Sequence, residues 1–274
     1  VFILSFYAFL LLYAYLTFSL IYSGSIIINS GTILIGALSL LIGFISSFIT
    51  QLFIFWFVLL FRKNKPITDS FNHAFAKSVL RLGVHLLRTK VTVTGKENIP
   101  NKPFILVGNH QENYDILIIM PIFKQPLSFI AKEVLAKLPI FGKWMKVLGN
   151  VFITRDADRQ AAAAIIQGIK HYKQGLSMGI FPEGKRSFSN EMLEFKPGAF
   201  KLAMKSKADI VIVTQYNVCT IFKRFPWRPY KVHLHIHPLL KYEEYKDMSS
   251  HELSNYVKDI IQAQLDVYSS MGRK

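Results

Sequence analysis

Apolar and polar positions divide the chain sharply at Arg62. Residues Val1 to Phe61 carry no Asp, Glu, Lys or Arg. Val1 to Tyr22 is almost wholly apolar, and as a helix rising about 1.5 Å per residue it matches the hydrocarbon thickness of a bilayer. Thr32 to Phe61 does so again, with length to spare for tilt. Ser23, Gly24 and Ser25, then Asn29, Ser30 and Gly31, supply the small and polar residues of a turn between the two. The pattern therefore predicts an N-terminal hydrophobic helical hairpin over residues 1–61, anchoring the chain to a membrane. A secretory signal peptide does not fit, because no basic stretch precedes the first apolar run and a second run follows it.

Beyond Arg62 the periodicity changes. Phe71, Phe75, Val79, Leu82 and Leu86 recur near the helical period and predict an amphipathic helix over Ser70 to Leu87. Short apolar or alternating runs follow: Val91 to Thr94, Phe104 to Val107, Leu127 to Ala131, Val151 to Ile153, Met178 to Phe181, Ile210 to Tyr216 and Lys231 to His237. These predict strands. Helices are expected between many of them, most clearly from Ala157 to Gln174, with Asp156 or Asp158 as N-cap and Gly175 as the stop. A last helix, Ser249 to Tyr268, closes the chain. Residues 62–274 thus predict one α/β domain, a mixed sheet flanked by helices, whose strand order the pattern does not give.

Charge sharpens this division. All 33 basic and 17 acidic side chains fall after Phe61, and with them the net charge of +16. Arg62, Lys63 and Lys65 follow the second apolar run directly, which by the positive-inside tendency places the α/β domain on the cytoplasmic side. Membrane lipids are the expected partner, since each Lys or Arg near an anionic surface contributes about 1 kcal/mol of attraction. Nucleic acid is set aside, because no basic stripe with interleaved aromatics is found. The single cysteine, Cys219, ends a mostly apolar run with no adjacent cation or His to lower its pKa, and is expected to be a buried structural thiol.

Three motifs compete for the chemistry. Gly175 to Gly179 fits G-x-S-x-G, but a serine nucleophile elbow needs a strand before it and a helix after it. Here the order is reversed, so Ser177 is expected to be a turn residue. Gly179 to Lys185 fits part of a phosphate loop, yet Arg186 stands where Ser or Thr should hold magnesium, and Glu183 brings negative charge. The third, Asn109 to Asp115, follows an apolar strand, where α/β proteins place working groups. If the chain turns into a helix just after His110, Asp115 can return to accept the imidazole N–H, leaving the other nitrogen as a general base. Such a pair can take a proton from an alcohol without any protein nucleophile.

Spacing alone is weak support for that pair, and further blocks supply more. Val151 to Arg155 delivers an arginine at a strand end, and Phe181 to Ser187 ends another strand with a glutamate, a glycine and two cations. Arg155, Lys185 and Arg186 can converge on a phosphate, the guanidinium forks gripping oxygens in pairs. Each taken singly is more often a solvated surface charge. His233, His235 and His237 alternate along one strand and are expected to form its polar face. Lys132, Phe141 and Trp144 are expected to pack the core.

In this order the blocks resemble the glycerolipid acyltransferase family, most closely its 1-acylglycerol-3-phosphate acyltransferase branch, over Thr94 to Tyr216. Asn109, His110 and Asp115 match its N-H-x-x-x-x-D block. Phe181, Pro182, Glu183, Gly184, Arg186 and Ser187 match its F-P-E-G-x-R-S block, and Phe195 to Phe200 is similar to the stretch after it. Lys185 stands where the family usually has Thr or Ser, and Glu112 where Ser is common. The fourth block, Ala208 to Tyr216, lacks a frequent proline. These departures concern the acceptor headgroup rather than the His–Asp pair.

The resemblance implies transfer of a fatty acyl group from coenzyme A or acyl carrier protein to the sn-2 hydroxyl of lysophosphatidic acid, giving phosphatidic acid. It implies His110 as the base and Asp115 as its orienting group. Arg155 and Arg186, with Lys185 beside them, would hold the phosphate, while Glu183 and Gly184 shape that pocket. It implies no metal and no tightly bound cofactor, the acyl thioester being a co-substrate. Glycerol 3-phosphate or another lysophospholipid is the rival acceptor. Outside this chemistry stand a non-catalytic membrane protein that binds anionic lipid and a hydrolase working through Ser177.

Overall fold

The computed structural model describes residues 2–22, 29–153, 158–221 and 229–271, and the chain divides into two compact units, Val1–Lys63 and Asn64–Lys274. In the first, α1 (Phe2–Ile21) and α2 (Ser30–Arg62) pack antiparallel. The buried residues of α2 recur at every fourth position, Ser39, Gly43, Ser47, Gln51, Phe55 and Leu59. Gly43 admits the backbone of α1, for a Cβ there would stand 2.7 Å from the Leu10 carbonyl oxygen. Ser47 donates to the Phe6 carbonyl at 2.7 Å and Gln51 to the Ser5 hydroxyl at 3.0 Å. Small residues and inward-turned polar groups are how helices pair when their surroundings are themselves apolar.

The outward faces expose Leu11, Leu20, Leu34, Phe53 and Phe61, and both helices are long and apolar enough to cross a membrane. The second helix starts two residues before the expected Thr32. Asn29 accepts the Thr32 N–H and the Thr32 hydroxyl accepts the Asn29 N–H, both at 2.9 Å, a reciprocal cap that fixes the start at Ser30. The expected turn residues Ser23 to Ser25 lie outside the described residues.

The second unit is built on seven strands: β1 (Thr89–Thr94), β2 (Ile105–Gly108), β3 (Leu127–Lys132), β4 (Val151–Ile153), β5 (Ser177–Ile180), β6 (Ile210–Tyr216) and β7 (Tyr230–Ile236). Their order is β1-β7-β6-β2-β5-β3-β4. From β6 to β4 all neighbours are parallel, while β7 runs antiparallel to β6 and parallel to β1. The central strands β2 and β5 are buried at every position, as parallel strands covered on both faces should be.

Around the sheet lie α3 (Ser70–Leu86), α4 (Asp115–Ile119), α5 (Glu133–Ala136), α6 (Phe141–Val147), α7 (Asp158–Lys173), α8 (Lys201–Ser206), α9 (Tyr242–Tyr245) and α10 (Ser250–Met271). One core joins Ile105, Val107, Met178, Ile180, Ile210 and Ile212 of the sheet to Ala164, Leu202 and the α10 stripe Leu253, Val257, Ile261 and Leu265. Gly175, at φ +90°, follows α7 in the left-handed region that a residue without a Cβ tolerates. The expected cap at Asp156 or Asp158 lies outside the described side chains.

Four local expectations need correction. The buried residues of α3 are Asn72, His73, Ala76, Lys77 and Leu82; of the predicted apolar stripe Leu82 is buried, Phe75, Val79 and Leu86 are half-buried and Phe71 is exposed. Hydrogen bonding adds polar positions to the buried face. The Lys77 ammonium donates to the carbonyls of Phe123, Lys124 and Gln125 at 2.8, 3.1 and 2.7 Å, and His73 donates to the Ile67 carbonyl at 2.7 Å. Burial pushes Lys77 down to about 8 and His73 down to about 4.

Ser177 is not in a turn but opens β5, fully buried, its hydroxyl accepting the Phe104 N–H at 3.3 Å. The turn is already complete at Gly175. His233 and His235 are half-buried on β7 as expected, whereas His237, beyond the strand end, is buried against the Thr214 hydroxyl at 2.8 Å. Trp144 is buried and stacks on Phe75 at 5.4 Å, but Phe141 is exposed.

Candidate active site

The parallel block brings the carboxyl ends of β2, β5 and β6 side by side, with Val107 beside Ile180 and Gly108 beside Val213. Gly108 permits close approach, since a Cβ would lie 2.9 Å from the Val213 carbonyl oxygen. The backbone ladder ends there, and Asn109 extends it with its side chain. Its carboxamide accepts the Gln215 N–H at 2.8 Å and donates to the Gln215 carbonyl at 2.9 Å, while the Gln215 side chain returns a bond to the Asn109 carbonyl at 2.9 Å. A carboxamide imitating a peptide group lets the chain leave the sheet while remaining pinned to it. Asn109 is buried, so its work is to aim the residue that follows.

His110 is held from every side. Its backbone N–H donates to Glu183 Oε1 at 2.7 Å and its carbonyl accepts the Ser187 N–H at 2.9 Å. Its Nδ1 lies 2.6 Å from Asp115 Oδ2. Its ring lies on Phe181, with centroids 4.4 Å apart and planes 7° from parallel. Phe181 in turn lies against Phe129 of β3 at 5.7 Å. About a sixth of the imidazole side chain, 16%, stays exposed.

Asp115 begins α4 and is fully buried. Its Oδ2 accepts the backbone N–H groups of Gln111 and Glu112 at 2.8 and 3.1 Å as well as the imidazole, so one oxygen gathers the whole loop. With two backbone N–H donors on Oδ2, the imidazole adds its Nδ1–H as the third, and in the neutral ring this makes Nε2 the acceptor nitrogen. Burial pushes the Asp115 carboxyl upward, and the bonds from His110, Glu112 and Gln111 pull against it.

Glu183 is also buried, and both its oxygens face the chain. Oε1 takes the His110 N–H and Oε2 takes the Leu193 N–H at 3.0 Å, so it ties the histidine loop to the segment after Ser187. Burial pushes its carboxyl up to about 7. Pro182 accepts the Lys196 N–H at 2.9 Å, and Gly184 makes the turn at φ +69°. Ser187 adds a side-chain bond to the Ser189 carbonyl at 3.0 Å.

The cations are arranged differently from one another. Arg186 donates to Glu112 Oε2 at 3.2 Å and lies over the Phe188 ring at 4.6 Å. Lys185 is exposed. Arg155 lies outside the described residues. The structure therefore brings His110, Asp115, Glu183 and Arg186 together with Asn109, Phe181 and Ser187, and leaves Lys185 at the surface. No group of three or more His, Cys, Asp or Glu among the described residues is placed to hold a metal.

A carboxamide cluster beneath the loop is absent from the sequence reading. Gln111, fully buried, donates to Asn190 Oδ1 at 3.0 Å and to the Gln215 carbonyl at 3.1 Å, while its own oxygen accepts the Val218 N–H at 2.8 Å. Asn190 donates to Asn217 at 3.0 Å and accepts the Asn217 N–H at 2.7 Å. One signal was available: Gln215 interrupts an apolar strand, and a polar group buried there demands partners. Cys219 is buried beside this cluster, with its N–H 3.3 Å from Gln111.

Known proteins are similar to this chain in sequence and fold. The model of the Acyltransferase family matches residues 90–216. The chain is 34% identical to the 1-acyl-sn-glycerol-3-phosphate acyltransferase of Borreliella burgdorferi over 193 residues, covering 69% of this chain and 77% of that protein. It is 32% identical to the probable 1-acyl-sn-glycerol-3-phosphate acyltransferase of Mycoplasma genitalium, covering 71% and 77% of the two. Among solved structures, the 1-acyl-sn-glycerophosphate (LPA) acyltransferase PlsC of Thermotoga maritima superposes with a TM-score of 0.66 at 26% identity, over 81% of this chain and 92% of that one.

Proposed function

The chain belongs to the 1-acyl-sn-glycerol-3-phosphate acyltransferase family, and we propose that it moves a fatty acyl group from acyl-CoA or acyl carrier protein to the sn-2 hydroxyl of 1-acylglycerol 3-phosphate, giving phosphatidic acid. The observation that carries this is the His110–Asp115 hydrogen bond of 2.6 Å at the carboxyl edge of the sheet, beside a loop that supplies Arg186. His110 Nε2 takes the hydroxyl proton as the oxygen attacks the thioester carbonyl. Asp115 stabilises the imidazolium that forms. The tetrahedral intermediate collapses with loss of the C–S bond, and the thiolate receives the proton back from Nε2. General-base assistance of this kind contributes about a hundredfold to ten-thousandfold in rate.

Arg186 holds the acceptor's phosphate, with Arg155 and Lys185 adding positive charge, and Gly184 keeps the turn between them narrow. Glu183 acts by fixing the His110 backbone. No metal and no tightly bound cofactor enters these steps. The two apolar helices anchor the protein in the bilayer that holds both the acceptor and the product, and Arg62, Lys63 and Lys65 keep the α/β unit on the cytoplasmic side.

The test is acyl transfer by protein in detergent or vesicles, with long-chain acyl-CoA and acyl carrier protein as donors. Lysophosphatidic acid, glycerol 3-phosphate and lysophosphatidylcholine serve as competing acceptors. Phosphatidic acid formed by the wild type and lost in His110→Ala supports the proposal. Acylation of no acceptor by folded protein, or full activity in His110→Ala, overturns it.

A further inference from the structure

Arg186 is not waiting with an empty guanidinium. Its NH1 is spent on Glu112 Oε2 at 3.2 Å, and its flat face is spent on Phe188. Glu112 is itself held: its backbone N–H is bound to Asp115 and its Oε2 also accepts the Asn113 N–H at 3.0 Å. A carboxylate two residues from the imidazole is thus fixed on the cation of the F-P-E-G-K-R-S loop. Both partners of the pair are partly buried, with side-chain exposures of 26% for Arg186 and 20% for Glu112, so the interaction is less screened than a surface pair.

A phosphomonoester brought to Arg186 meets that carboxylate. A paired grip that includes NH1 takes that N–H from Glu112, and a phosphate on the remaining N–H groups lies beside the carboxylate, so while Glu112 stays in place the two anions repel. From this juxtaposition we propose that Glu112 is a specificity-determining residue, an internal anion that occupies Arg186 until the acceptor's phosphate displaces it. The consequence is selectivity by competition. A phosphomonoester, carrying more negative charge than a phosphodiester, displaces the carboxylate, whereas a weaker anion does not. This rests on Arg186 being the phosphate-holding residue of the proposed reaction.

Glu112→Gln keeps the shape and removes the charge. Its KM for lysophosphatidic acid is expected to fall about fivefold, the equivalent of a partly buried ion pair of about 1 kcal/mol, with a smaller change in kcat. Binding of inorganic phosphate, followed by calorimetry on the full chain in detergent, is expected to tighten similarly. In an Arg186→Gln background the same substitution is expected to have no such effect, because the competition needs the guanidinium.

An unchanged or weakened phosphate affinity in Glu112→Gln overturns the proposal, as does a gain of equal size with and without Arg186. The calorimetric arm decides the matter without turnover. Failure here with phosphatidic acid still formed by the wild type leaves the acyl-transfer function standing, and absence of any acyl transfer removes that function while phosphate binding is still read.

Discussion

The imidazole of His110 lies flat on the ring of Phe181, 4.4 Å between centroids and 7° from parallel. The contact joins two sequence blocks, one carrying the histidine and the other known in sequence only as a run of motif letters. A hydrogen bond to Asp115 fixes one in-plane direction of the ring, and the stack fixes its plane. Phe181→Leu keeps apolar bulk and loses the flat surface. We expect kcat to fall about tenfold with KM nearly unchanged, since displacement of a reacting group by a fraction of an ångström is enough for such losses. A KM effect without a kcat effect would show that Phe181 serves substrate binding instead.

Gly179 controls the same stack from below. A Cβ at this position would sit 2.3 Å from the Phe129 ring, which itself supports Phe181. Gly179→Ala must therefore move Phe129. The expected cost is about 1 to 3 kcal/mol of stability, as for other overpacked cores, together with a loss of activity. Thermal melts and acyl-transfer rates check this jointly, and a variant unchanged in both would remove Gly179 from the account.

Much of this was legible in the sequence, for identifiable reasons. Each strand is a short apolar or alternating run between breaks, so all seven were found, Val151–Ile153 and Ile210–Tyr216 at both their ends. The His110–Asp115 pair was legible because its partners are local. The carboxamide cluster was not, since Gln111, Asn190, Gln215 and Asn217 come from segments that follow β2, β5 and β6 or end them, and meet because β2 lies between the other two strands, an adjacency that periodicity does not encode. The same is true of Glu183, whose motif position says nothing about which backbone amides it will accept. On α3 the apolar stripe told only part of the buried face, because Lys77 found carbonyl partners in a distant segment and His73 found one at Ile67, just before the helix.

Asp115→Asn separates charge from geometry. The carboxamide oxygen can still receive the imidazole N–H, but the negative charge that stabilises the imidazolium is gone, and we expect kcat to fall by about a hundredfold or more. Stability should change less, because burial already works against the charged carboxylate. Asp115→Ala leaves the Gln111 and Glu112 amides without their acceptor and should cost a further 1 to 3 kcal/mol or so. Paired melts and single-turnover rates distinguish the two variants. Equal activity in Asn and wild type would mean that the charge has no part in the step.

Lys77→Met tests the staple under α3. Three carbonyls lose their donor, and about 2 kcal/mol of stability should go with them. The pH dependence has a definite sign. Burial lowers the folded amine to about 8 from an ordinary 10.5, so between these values the unfolded chain binds more protons and the wild type gains stability as pH rises. The difference between wild type and Lys77→Met should therefore widen from pH 8 towards pH 10. A constant difference would show that Lys77 keeps its proton across that range.

Glu183 gives the opposite slope. Its folded carboxyl titrates at about 7 against an ordinary 4.5, because burial penalises the anion more than the His110 and Leu193 amides favour it. Between those values the folded protein holds a proton that the unfolded chain has released. The stabilisation linked to that proton is fully present below pH 4.5 and is lost as pH rises through 7. Glu183→Gln cannot titrate and keeps one acceptor oxygen for two amides. Its melting temperature should be lower overall, and it should lack the fall that the wild type shows from pH 5 to pH 8. Because Glu183 holds the His110 backbone rather than the imidazole, the substitution should lower kcat at every pH in that interval. Parallel melting curves for the two proteins would mean that Glu183 is already ionised at pH 5. Its two amide bonds would then outweigh burial, and Glu183 would be a permanent anion beneath the histidine.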